Sequence, residues 1–152
     1  MEFKAFSFAK KILCLGFVLG AILAGAFMSE AGDSLSEEES LLAAARQYFD
    51  AEVRKDYPLV YACLSPSSAY CYSHSYEEYL EEALSSPNSV GSYRIIDITY
   101  IRDNDDRDRF PQVEKFAEIE VEVVLLYADT GKTSEFNIGF VFLKEGGKWY
   151  KS

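Results

Sequence analysis

The sequence predicts an α+β domain in which three N-terminal helices pack on a curved antiparallel sheet of about four strands, preceded by a signal peptide. Three observations predict it. Ser-x-x-Glu starts at Ser36 and Ser75 open segments whose apolar residues recur every three to four positions, the spacing of an amphipathic helix. After Gly91 the period changes to two, with Ile, Val, Tyr and Phe alternating against polar residues as in half-buried strands. Asp129-Thr130-Gly131-Lys132 and Gly146-Gly147 then join successive strands by tight turns, so neighbours run antiparallel and helices precede the sheet rather than alternate with it.

The bulk composition is that of one packed domain: 152 residues, 49% hydrophobic and 15% aromatic. With 25 acidic and 15 basic side chains the chain carries a formal charge of -10, which repels phosphate backbones and anionic lipid, so nucleic acid is excluded as a partner. No internal repeat or low-complexity segment appears.

The first residues form a leader. Lys4, Lys10 and Lys11 precede an apolar run from Ile12 to Phe27, and small residues follow at Ala24, Ala26, Ser29 and Ala31. Residues 1–31 therefore read as a signal peptide cut after Ser29-Glu30-Ala31, with Ala24-Gly25-Ala26 as a second small-x-small site, and 32–152 as the single mature domain. The expected location is exported, periplasmic or secreted. The alternative is a membrane anchor formed by the uncleaved leader, since the run approaches the roughly 17-residue lower limit of a spanning helix. Cys14 leaves with the leader.

In the mature chain, the first helix starts at Ser36 and carries Leu41, Leu42, Ala45, Tyr48, Phe49, Glu52, Val53 and Tyr57 along one face. Pro58 stops or kinks it, and the same proline suits the first turn of a short second helix capped by Asp56, from about Pro58 to Leu64. Ser65-Pro66-Ser67-Ser68 is a break, and a third helix runs from Ser75 through Leu84 until Ser86-Pro87-Asn88 ends it. The strands follow as Tyr93 to Arg102, Phe116 to Ala128, Ser134 to Lys144 and Lys148 to Lys151. The second places Ala117, Ile119, Val121, Val123, Leu125 and Tyr127 on one face and Glu118, Glu120 and Glu122 on the other; the third aligns Phe136, Ile138, Phe140 and Phe142.

This organisation resembles the nuclear-transport-factor-2-like superfamily, also called the cystatin-like α+β cone. The resemblance is carried by LLAAARQYFDAEVRKDYPLVYACLSPSS, by SYEEYLEEAL and by the closing EFNIGFVFLKEGGKWYKS, and covers nearly the whole mature chain. It implies a strongly curved sheet folded around the long helix, leaving a cone whose open end can hold a small apolar ligand. It implies further that some relatives isomerise or dehydrate substrates there, others only bind, and many dimerise through the sheet, so a homodimer through the sheet is an expectation here.

The stretch CLSPSSAYCYSHSYEEY gathers both mature-domain cysteines and the only histidine. Cys63, Cys71 and His74 lack a convincing fourth ligand for zinc, and no metal or cofactor is expected. In an export compartment Cys63 and Cys71 are expected to form a disulfide, whose small loop stabilises by about 2 to 3 kcal/mol. Of the clustered tyrosines, Tyr48, Tyr57, Tyr61, Tyr72 and Tyr100 are the expected pocket wall, although tyrosines at helical spacing also serve as core edges. Asp103 to Asp108 imitates the start of a calcium loop, but Asp108 replaces the glycine its sharp turn needs.

No complete catalytic motif appears. The reading is an exported binding domain, taking a small apolar ligand in the cone or a protein partner on the sheet face. The enzymatic alternative, a cofactor-independent isomerase or dehydratase of a small cyclic substrate, needs an acid/base group inside the cone. Asp97, between Ile96 and Ile98, is its candidate, with Tyr100 and His74 as partners. A third reading is an interaction domain with a filled cone.

Overall fold

The structure, a computed structural model, describes residues 35–152; the leader predicted over 1–31 lies outside the described residues. Helix α1 spans Glu37–Arg54. Both halves of its capping box are made: the Ser36 hydroxyl accepts the Glu39 N–H at 3.2 Å, and the Glu39 carboxylate accepts the Ser36 N–H at 2.8 Å. The helix ends before the proline, at Lys55, which adopts a left-handed conformation (φ 56°) and lets the Asp56 N–H bond back to Ala51. Asp56 is thereby free to cap α2, Tyr57–Ala62, with Pro58 in its first turn.

A helix absent from the sequence prediction follows. Helix α3, Ala69–Ser73, is capped by Ser68, so the domain has four described helices rather than three. Its five residues are too few to display a helical period, and the serine-rich approach reads as a break. Helix α4, Tyr76–Ser85, starts on the second capping box, Ser75 with Glu78.

The four described strands form an antiparallel meander in chain order: β1 Asn88–Asp103, β2 Val113–Tyr127, β3 Thr133–Glu145 and β4 Lys148–Lys151. Strand β1 begins earlier than predicted because Asn88, Ser89 and Val90 pair with Tyr127, Leu126 and Leu125. Its register against β2 slips at three places, leaving Gly91, Ile96 and Thr99 as extra residues. Such bulges bend and twist the strand that carries them. The free side of β4 is closed by Cys63–Ser65: the Lys151 N–H donates to the Cys63 carbonyl at 2.8 Å, and the Ser65 N–H to the Lys151 carbonyl at 2.7 Å.

The core lies between α1 and the inner face of the sheet. Leu41, Ala45 and Phe49 meet Ala117, Ile119, Val121, Val123, Phe142 and Trp149, all buried. Phe49 stacks on Tyr93 at 5.0 Å and meets Phe140 edge-on at 4.9 Å. A satellite cluster of Val113, Phe116 and Leu143, joined by Tyr100 and Phe110, forms on the opposite face.

Candidate functional site

A cavity of about 460 Å³ opens beyond the end of this core. The lower half of α1 supplies Tyr48, Glu52 and Lys55; α2 and its exit supply Tyr57, Val60 and Leu64; Tyr70 comes from α3, Tyr79, Glu82 and Ala83 from α4, and Lys151 from β4. Each element delivers its residue for a local reason. Tyr48 and Glu52 are one helical turn apart on the apolar face of α1, so their side chains meet, and the Tyr48 hydroxyl donates to Glu52 at 2.8 Å. Lys151 pairs with Phe142 and shares with Trp149 the face of β4 that points at α1. The bulged start of β1 adds Asn88 and Ser89 at the rim.

The electrostatics keep the tyrosines of the wall neutral. Burial, reinforced by Glu52, holds the Tyr48 hydroxyl well above the usual phenol range, and burial raises Tyr79 as well. Tyr70 is pushed up to about 12 by burial and by its hydrogen bond to Glu82, 2.7 Å long. These tyrosines are therefore protonated hydrogen-bond donors at neutral pH. Burial lowers the Lys151 amine, an effect Glu52 partly opposes. The cavity thus offers aromatic and aliphatic surface with a few directed polar groups, a composition that orients a small organic ligand.

Only part of the expected site gathers here. Tyr48 and Tyr57 line the cavity. Tyr61 does not: it packs between α2 and α4 against Tyr76 and Tyr79, and its hydroxyl donates to the His74 carbonyl at 2.9 Å. Tyr72 is 92% exposed, because α3 turns it outward. Tyr100 lies on the outer face opposite Glu118, packed on the satellite cluster.

The expected acid/base group does not form either. The extra residue at Ile96 resets the alternation of β1, so Asp97 is exposed on the outer face, directly across from Glu120, and accepts the Ile98 N–H at 2.8 Å. His74 ends α3 with its ring stacked on Tyr70, 4.3 Å between centroids, and Nε2 3.6 Å from Glu82. Asp97 and Tyr100 therefore lie on the outer face of the sheet, away from this cavity, and His74 stands apart from both at the end of α3.

Cys63 and Cys71 are free thiols, both half-buried, so the expected disulfide is not formed. Cys63 closes α2 and borders a groove with Leu59 and Trp149, whereas Cys71 stands inside α3, the helix that sequence reading did not foresee. Burial pushes the Cys63 thiol up, away from reactive thiolate. In the acidic loop, Asp103 pairs with Lys115 at 2.9 Å and Asp105 with Arg102 at 2.6 Å, while buried Asn104 binds the Phe110 and Val113 carbonyls. Among the described residues no group of three His, Cys, Asp or Glu side chains is placed to hold a metal ion.

Sequence reasoning missed Glu52 and Lys151 as cavity residues, yet each left a signal. Glu52 is the one acid on the apolar stripe of α1, and Lys151 shares the strand face of Trp149.

The fold, helices packed on a four-stranded antiparallel meander, is similar to that of nuclear-transport-factor-2-like proteins. An NTF2-like protein of unknown function from Prochlorococcus marinus superposes with a TM-score of 0.50 at 11% identity, over 77% of this chain and 88% of that one. A ketosteroid isomerase-like protein from Erwinia carotovora atroseptica gives 0.50 at 20% identity, over 77% and 92%. At such identities the likeness is one of fold alone. Neither a family model nor a curated protein matches this sequence.

Proposed function

We propose that this domain binds a small, largely apolar ligand noncovalently in the tyrosine-walled cavity. The observation that carries the reading is an open cone end of about 460 Å³ whose wall combines Tyr48, Tyr57, Tyr70 and Tyr79 with the polar groups Glu52 and Lys151. Phenol rings supply flat apolar surface, and their hydroxyls supply direction without charge. Binding ranks above isomerisation or dehydration because the groups expected to act as acid and base stand outside the cavity.

The test is a thermal-shift screen of small aromatic and alicyclic compounds against the wild-type protein and Ala83→Trp, which fills the cavity from α4. A ligand at about 100 times its Kd stabilises by about 2.7 kcal/mol. Hits should raise the midpoint of wild type and leave Ala83→Trp unmoved, with its circular dichroism retained. A library without hits, or hits that stabilise both proteins equally, would remove the cavity from consideration.

We propose also that the protein acts outside the cytoplasm, on the strength of the leader pattern in residues 1–31. N-terminal sequencing of the natively produced protein should begin at Gly32. Retention of Met1 in a membrane fraction would instead support the anchored form.

A further inference from the structure

We propose that the open edge of β3, from Glu135 to Gly139, docks an extended strand of a partner protein whose alternate residues are apolar and basic. The inference is independent of the cavity. It begins with the edges of the sheet. Strand β4 covers only Phe142–Glu145 of β3, and the Ser152 N–H donates to the Val141 carbonyl at 3.0 Å. Main-chain groups alternate sides along a strand, so Glu135, Asn137 and Gly139 share Val141's orientation and direct their N–H and C=O groups to the open side.

Among the described residues the other edges are protected and this stretch is not. Three bulges interrupt β1, and Cys63–Ser65 closes β4. Strand β3 has no register shift against β2 from Thr133 to Lys144, no proline, and no charge from Phe136 to Leu143. A straight, uncharged edge of this kind is a template for a further strand.

Its two faces specify the occupant. On the inner face Phe136 and Ile138 remain 42% and 40% exposed although they pair with buried Val123 and Val121. On the outer face Glu135 is joined by Glu118, Glu120 and Glu122 of β2, of which Glu122 is paired with Arg94. Gly139 leaves a gap in β3 there: the Glu118 carboxylate comes within 2.9 Å of the place a Cβ would occupy. Lysines or arginines on an added strand, opposite Glu135 and Gly139, would meet Glu135, Glu118 and Glu120, while the intervening residues cover Phe136 and Ile138. A second copy of this chain fits less well. Antiparallel pairing of the free groups about Asn137 sets Glu135 of each copy beside Glu118 and Glu120 of the other, and like charges across a strand pair repel.

The test uses fluorescence anisotropy of a short blocked peptide alternating Val and Lys, with a block-ordered peptide of the same composition and an alternating Val-Glu peptide as controls. The Val-Lys peptide should bind wild type, more weakly as salt rises. Asn137→Pro, which removes an edge donor, and the double variant E118Q/E120Q should each lose about tenfold in affinity, equivalent to about 1.4 kcal/mol. Circular dichroism checks that both keep the fold. Absence of binding, equal binding by the block-ordered peptide, or unchanged affinity in E118Q/E120Q overturns the proposal. So does a wild-type dimer in sedimentation velocity that Asn137→Pro converts to monomer, because the occupant is then a second copy.

Discussion

Glu37 shows how one residue ties the first turn of α1 to the end of the sheet. Its carboxylate accepts the Lys144 amine at 2.8 Å and the Trp149 indole N–H at 3.1 Å, with Lys115 at 3.9 Å. The Lys144 hydrogen bond, aided by the charges of Lys144 and Lys115, holds this carboxyl below its ordinary value of 4.5. A depressed folded-state value means that the stabilisation is complete above about pH 4.5 and is lost as pH falls through the folded value. Glu37→Gln should therefore lower the neutral-pH unfolding midpoint and flatten its decline in acid, followed by Trp149 fluorescence. An unchanged acid limb would show that Glu37 is not the linked group. Further along α1, Phe49 carries the core instead: Phe49→Ala should cost about 3–5 kcal/mol in urea unfolding, the range for a buried aromatic.

At the scale of elements, the helices that were legible are those whose ends are chemically marked. Ser36 with Glu39 and Ser75 with Glu78 were read from the sequence and form both reciprocal bonds. Ser75→Ala should cost about 1 kcal/mol, measured by thermal denaturation, because it strips the Glu78 N–H of its acceptor at 3.3 Å. A midpoint within error of wild type would mean that α4 is held by packing alone. Helix α3 escaped notice because a single turn has no period to detect. The bulges of β1 escaped for a related reason. Alternation reports facing only while register holds, so Asp97 moved from the expected interior to the outer face when Ile96 was inserted into the ladder.

The whole molecule sets a pH limit at the alkaline end. Tyr48, Tyr70, Tyr79 and Tyr93 are all raised above the ordinary phenol value of 10.0, burial being the first cause in each. Groups raised by folding contribute stability that is complete below pH 10 and is lost as pH climbs through the folded values, which reach about 12 for Tyr70 and Tyr93. Of the 11 tyrosines, these four should form tyrosinate only together with loss of helical circular dichroism, as a separate late step in alkaline titration. Complete tyrosinate formation near pH 10 with the helices intact would show that water reaches these hydroxyls.

The sequence by itself determined the order of the elements other than α3, the antiparallel meander, the apolar stripe of α1 and the inner row Ala117, Ile119, Val121 and Val123. Those features follow from local periodicity and turn chemistry, which neighbouring residues encode. Only the tertiary structure decided which tyrosines share a cavity, that Glu52 and Lys151 join them, that Asp97 and Tyr100 face outward, and that Cys63 and Cys71 are not joined. Each of these depends on register between strands or on the angle at which distant helices cross the sheet. Such relations are fixed by packing across the domain, and no single stretch of chain contains them.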